Sequence, residues 1–214
     1  MRSDPQPNRP RTRTGGQPKK VSFIEEARRK QIIDTAIETI AAQGYDKASL
    51  AEIARAAGIS KGVISYHFAG KDELVEEILT FLLREPAAFI KHRVDACERA
   101  IDKLDAYIRA NFDFMREHRV GYVALVDLWN SRSASAGTNK FDHEAYEPSR
   151  RYLRRILEEG QQSGAFREMP LRTMASLVQA SIDGVMLQWV FHEDAIDLDE
   201  ACQEITRMIR THVR

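Results

Sequence analysis

The sequence predicts an all-α protein, and three observations carry that reading. Beyond Lys20 apolar residues recur at helical spacing through almost the whole chain. No run alternates apolar and polar residues long enough to make a convincing strand. Glycines, prolines and the Ser-x-x-Glu pairs Ser22/Glu25 and Ser49/Glu52, which have the spacing of capping boxes, divide the chain into segments of helical length.

The elements follow in order. Residues 1–21 carry Arg2, Arg9, Arg11, Arg13, Lys19 and Lys20 against Asp4, with four prolines and almost nothing apolar, and are predicted to be a disordered basic tail. It reads equally as a solubilising leader or as an arm that touches phosphates. Helix 1 is expected from Phe23 to Gln43, with Ala27, Ile32, Ala36, Ile37, Ile40 and Ala41 on one face and Gly44 as a left-handed stop. Ser49 caps a second, short helix holding Ile53, Ala54 and Ala57, and Gly58 ends it. Ser60 caps a third, which buries Ile64 and Phe68 and stops near Phe68. Asp72 and Glu73 suit the positive end of a fourth helix dipole, and Leu74, Val75, Ile78, Leu79 and Leu82 make it strongly apolar. Pro86 is expected to kink or break it. Helices then run from about Glu98 to His118 and from Tyr122 to Asn130, before a small, polar loop from Ser131 to Lys140. Pro148 is placed in the first turn of a helix reaching Gly164. "LRTMASLVQASIDGVMLQWVF" is apolar around much of its circumference, and "DLDEACQEITRMIRTHV" is amphipathic, with Leu198, Ala201, Cys202, Ile205, Met208 and Ile209 inward. With 214 residues, a small domain at 22–70 joined to a larger one at 71–214 is the expected division.

Composition excludes several classes. The chain is 43% hydrophobic and 30% charged, and no apolar run approaches the roughly 18 residues of a membrane span. The basic start has no apolar stretch behind it, so it is no secretory signal, and a cytoplasmic home without a membrane partner is expected. Cys97 and Cys202 are far apart and read as reduced packing thiols. His92, His118, His143, His192 and His212 show no zinc-binding spacing, and neither a phosphate loop nor a nucleophile elbow is present. No enzyme, metal or cofactor is expected.

The stretch "GISKGVISYHFAGK" asks for another role. Two short helices about a glycine turn make a helix-turn-helix, whose second helix lies in the DNA major groove. Val63, Ile64 and Phe68 can turn inward, leaving Lys61, Gly62, Ser65, Tyr66 and His67 outward. Lysine and serine reach base edges, and Gly62 lets the backbone approach the duplex. Tyr66, His67 and Lys71 can hold phosphates. Tyr66 and His67 could otherwise be a half-buried pair bracing helix 4 against helix 1. From about Arg29 to Leu79 the motifs "AGISKG", "YHF" and "KDEL" fall in the register of TetR-type transcriptional regulators, and the segment resembles their N-terminal domain. "LEEGQQSGAFR" and "SIDGVMLQ" are similar to later helices of that family. The resemblance implies that Lys61, Gly62, Val63 and Ser65 lie nearest the bases and that Ser49, Tyr66, His67 and Lys71 hold phosphates. It also implies double-stranded operator DNA as the partner and repression as the outcome.

A single module of this kind binds weakly, so two copies about 34 Å apart are expected. The last two helices, two from each subunit, suit a homodimer bundle. Tyr107, Asn111, Phe114, Met115, Tyr122, Leu125, Trp129, Tyr152, Met186 and Trp189 read singly as core. As a group, with Asn111, Asp127 or Gln188 as polar points, they predict a site for an unidentified small-molecule effector. The resemblance implies that such a ligand alters the spacing of the two heads and releases the operator, with Pro86 on the joining helix. A helical protein-interaction module without ligand control is the alternative.

Overall fold

The computed structural model describes residues 23–133 and 140–214. The basic tail, Ser22 of the first capping pair and most of the expected polar loop lie outside the described residues. Among the described residues there are nine α-helices, one 3-10 turn and no strand. They are α1 (Phe23–Gln43), α2 (Leu50–Ala56), α3 (Lys61–His67), α4 (Lys71–Asp95), α5 (Ala100–Glu117), α6 (Arg119–Ser133), α7 (Lys140–Gln162), α8 (Leu171–Phe191), the 3-10 turn Glu193–Ala195 and α9 (Leu198–Val213).

The head, α1 to α3, forms as its local signals dictate. Ile32, Ile33, Ala36, Ile37 and Ile40 are buried along α1, while Ala27 is exposed and outside that stripe. Gly44 closes the helix at φ +84°, a conformation that costs glycine nothing. Ser49 caps α2 by accepting the Glu52 N–H at 3.2 Å. The Glu52 carboxylate turns to Arg55 at 2.6 Å, so only half of the capping box forms. Ser60 occupies the N-cap of α3, but its side chain makes no capping bond and its carbonyl accepts from Val63 at 3.0 Å.

Pro148 is a correction, and of the two outcomes expected at Pro86 the break does not occur. α4 passes through Pro86 without a break, and α7 starts eight residues before Pro148, which is therefore interior. The predicted loop shrinks accordingly, since α6 reaches Ser133 and α7 begins at Lys140. An interior proline removes a helical hydrogen bond and costs about 3 kcal/mol. Packing outweighs it: α4 seats Ile78 and Leu79 before Pro86 and Ile90 and Val94 after it, and α7 seats Leu153, Ile156 and Leu157 beyond Pro148.

Two cores organise the molecule. The larger joins α5, α7, α8 and α9 with the second half of α4 around Leu104, Ile108, Phe112, Leu153, Leu157 and Ile182. The smaller joins α1, α2 and α3 with Leu74, Val75, Ile78 and Leu79 of α4 and with Ala124, Leu125 and Leu128 of α6. The core of the head thus crosses the expected boundary at Gly70. Tyr122 and Trp129 pack against both cores. On α9, Leu198, Cys202, Ile205, Ile209 and Val213 are buried, but Met208, expected inward, is exposed.

The segment "LEEGQQSGAF" is a helix ending with its own seal. Gly164 takes φ +71°, and the N–H groups of Ala165 and Phe166 both reach the Gly160 carbonyl at 2.9 Å. The Phe166 ring lies against Gly160, so a Cβ there would stand inside it. Replacing a helical glycine by alanine ordinarily stabilises by about 1 kcal/mol. Here Gly160→Ala is expected to destabilise by roughly 1–3 kcal/mol, because the buried ring must move. Urea denaturation reads the sign.

Candidate functional site

α3 is amphipathic across its width. Ile64 and Phe68 are sealed inside, Val63 and His67 are half-buried, and Lys61, Gly62, Ser65 and Tyr66 face out, as does Ser49 at the start of α2. Tyr66 is 74% exposed, which excludes its role as a buried brace. Its ring meets His67 edge-on at 5.0 Å, and its hydroxyl donates to Glu25 at 3.1 Å.

Two clamps hold this face, and neither follows from local pattern. The Arg29 guanidinium donates to the His67 carbonyl, lies 4.3 Å over the Phe68 ring and pairs with Glu77 at 3.3 Å. It thereby fastens the end of α3 to α1 and α4. Its visible signal is its position three and four residues before Ile32 and Ile33, a cation on the apolar face of α1. The second clamp is Lys71. Its ammonium donates to the Tyr45 carbonyl at 2.7 Å and sits 3.8 Å from the centre of the Tyr45 ring. Burial, the leading cause, lowers its pKa. One of its three donors is thus engaged within the head, and the others remain for a phosphate. The Tyr45 N–H donates in turn to Asp127 of α6 at 2.6 Å.

The residues expected around an effector do not line a single cavity. Phe114, Tyr122 and Leu125 line a cleft of about 610 Å³ between α1, the middle of α4 and the α5–α6 corner, with Ile37, Phe81, Leu82 and Pro86 as further apolar wall. Phe114 stacks on His118 there at 3.8 Å. Tyr107, Asn111, Met115, Met186 and Trp189 are packed in the larger core. Tyr152 donates to Asp95 at 2.9 Å, and Trp129 lies between the two cores. Asn111 bonds the Tyr107 carbonyl of its own helix at 2.8 Å. Asp127 faces the head, and Gln188 is exposed, so neither serves the interior as expected.

A different polar group occupies the interior. The Tyr107 hydroxyl donates to Gln179 at 2.7 Å, and the Gln179 amide donates to Asp183 at 2.8 Å. Burial pushes the Asp183 carboxyl up to about 6, opposed by the Gln179 bond. Tyr107 and Tyr122 are both raised, first by burial and then by the Asp183 charge. The signal was in view: Arg172 and Asp183 are the only charged residues of α8. Among the described residues no group of three His, Cys, Asp or Glu side chains could hold a metal, and no helix is long and apolar enough to cross a membrane.

A small head that exposes the polar side of a short second helix, seated on a larger helical domain, defines a DNA-binding regulator. Residues 32–78 match the model of bacterial regulatory proteins of the tetR family, and residues 100–214 match the C-terminal domain of BetI-type transcriptional repressors. The chain belongs to the TetR family, with a C-terminal domain of the BetI type, and is a transcriptional regulator. It is 28% identical over 192 residues to the regulator BetI of Cronobacter sakazakii, covering 87% of this chain and 91% of that one. It is 30% identical over 174 residues to the fatty acid metabolism regulator protein of Bacillus subtilis, covering 78% and 86%. Two solved structures share the fold. The fatty acid degradation regulator FadR of Bacillus halodurans aligns with a TM-score of 0.74 at 21% identity over 86% of this chain and 99% of that one. A chain from Saccharomonospora viridis, in complex with choline, aligns with a TM-score of 0.77 at 21% identity over 88% and 98%.

Asp183→Asn keeps the acceptor for Gln179 and removes the buried charge. The folded pKa of about 6 lies above the ordinary 3.8, so stability contributed by the protonated acid is lost as pH rises through this range. The variant is expected to be more stable than the parent at pH 8 by roughly 1–3 kcal/mol. Denaturation curves from pH 4 to pH 8 should lose their fall between pH 4 and 6. An unchanged fall assigns it to other groups.

Proposed function

We propose that the chain is a dimeric repressor that reads a palindromic operator with α3 and releases it when a cationic small molecule binds the C-terminal domain. The observation that carries the DNA-reading role is the two-sided packing of α3: Ile64 and Phe68 are sealed at 0% and 1% exposure while Lys61, Gly62, Ser65 and Tyr66 stand free of the core. Lys61 and Ser65 supply base-edge donors, and Gly62 and Val63 allow close approach and apolar contact. Ser49, Tyr66, His67 and Lys71 hold the backbone phosphates around them. The dimer is supported by Leu177, Phe191 and Met208, large apolar residues exposed on α8 and α9 where a second copy would cover them.

Two relatives point to different effectors: the Saccharomonospora viridis chain holds choline, and the Bacillus subtilis protein is named for fatty acid metabolism. Asp183 favours the former chemistry. It pairs with no cation among the described residues, is joined to Tyr107 through Gln179 and acts electrostatically on Tyr122, and tyrosine faces attract an organic cation. The same charge would repel a fatty acid carboxylate. The cleft that ends on Tyr122 is the approach.

Selection of bound duplexes from a random pool tests the DNA surface. Tyr66→Ala is expected to weaken all sequences alike, roughly tenfold, and to leave the preferred sequence unchanged, whereas Lys61→Ala should change which sequences win. Affinity should fall steeply with salt. Wild-type selection and affinity in both variants would move the contact surface elsewhere.

Choline titrated into the operator complex tests the effector. Millimolar choline is expected to release wild type, and Asp183→Asn should need at least about tenfold more, the loss of one desolvated ionic contact. Equal release of both proteins would remove Asp183 from the site.

A further inference from the structure

We propose that Asp127 is a positioning residue for operator recognition, reaching from α6 to fix the α1–α2 turn on which the reading helix depends. Gly44, at φ +84°, ends α1 and swings the next peptide out of the helix, so that the Tyr45 N–H points toward α6. Asp127 accepts it at 2.6 Å, a carboxylate on a backbone donor and hence a strong, directional bond. The Tyr45 carbonyl is held separately by the Lys71 ammonium at 2.7 Å, and the same ammonium lies against the Tyr45 ring. Tyr45 is therefore gripped at its N–H by α6 and at its C=O by the first residue of α4. Four residues later Ser49 caps α2, and the Ala48 N–H between them bonds back to the Gly44 and Tyr45 carbonyls at 3.1 and 3.2 Å. The position of the turn is in this way passed to the start of α2 and onward to α3.

α6 also meets the head through apolar packing: Ala124, Leu125 and Leu128, within three residues of Asp127 in sequence, are buried among the head's residues. Such packing holds the helix against the head over an area, while a hydrogen bond fixes one donor and one acceptor in distance and direction. Asp127 adds to that packing a bond of fixed direction to the turn itself. This concerns DNA binding itself and does not need an effector.

The test uses the full chain without effector, with a selected operator duplex. Asp127→Asn keeps a side-chain oxygen for the Tyr45 N–H, whereas Asp127→Ala removes it. The alanine variant is expected to bind the operator about tenfold more weakly, the effect of one lost hydrogen bond with its donor left unpaired. Hydrogen exchange of residues 45–50 should accelerate by a similar factor, while exchange in α8 and α9 stays at the wild-type rate. Asp127→Asn should restore most of both. Asp127→Ser, whose hydroxyl stops short of the turn, gives the same contrast if the alanine variant is unstable. A purely structural residue would lower the denaturation midpoint but leave the folded protein's operator affinity within twofold of wild type. That result, or a loss in Asp127→Asn as large as in Asp127→Ala, overturns the proposal.

Discussion

The head cannot close a core on its own three helices, and the rest of the structure depends on that constraint. Domains of this size bury a small fraction of their surface, so their stability from apolar burial alone is marginal. The deficit is met by Leu74, Val75, Ile78 and Leu79 from α4 and by Ala124, Leu125 and Leu128 from α6, all buried with the residues of α1 to α3. α6 consequently belongs to two cores. Tyr122 and Trp129 face both, and Val126 belongs to the larger one. A helix shared in this way cannot move relative to one core without disturbing the other, because close-packed interiors shift between discrete arrangements and do not deform smoothly.

The same constraint sets how charge is used. The formal net charge is zero, so attraction to DNA must come from the placement of charges. Arg29, part-buried, is neutralised by Glu77 and fastened to the end of α3, and Lys71 is partly engaged by Tyr45. These cations build the surface. Lys61 stands outside that framework, exposed on α3, and on the proposed reading it meets a base together with Ser65.

What could be read in the sequence was whatever is local. The first turn of α4, the cap at Ser49, the helix start after Ser60, the glycines at 44 and 58 and the spacing of Ile64 and Phe68 are decided within a few residues of themselves, and they outline the head. Pro148 was misread, and no break occurs at Pro86, because the local rule is correct but small beside packing, which buries α4 on both sides of Pro86 and α7 beyond Pro148. Asp127 and Gln188 show a further limit. Helical spacing says which face a residue shares but not which neighbour meets that face, and α6 has two neighbours. Met208 fails for a related reason, since an amphipathic stripe has an edge and only packing decides which side of it is covered. Gln179 and Asp183 were legible as polar residues in an apolar helix, yet their meeting with Tyr107 joins residues 72 apart in sequence.

The two cores meet α6 from sides of different character, and this bears on what an effector must do. Toward the head the helix is held by apolar packing and by the bond from Asp127 to Tyr45. Toward the larger core it packs Tyr122, whose hydroxyl pKa is raised first by burial and then by the Asp183 charge. A buried charge left without a cation is a standing cost to the packed arrangement, relieved by a proton or by a positively charged ligand. On the proposed reading, a cation drawn toward Asp183 through the cleft disturbs Tyr122, and the disturbance falls on a helix that also holds the turn at Tyr45. Such a ligand shifts the balance only by the difference in its affinity for the two arrangements of α6. The more tightly the packed state excludes it, the larger that difference, so a closed interior is compatible with strong control.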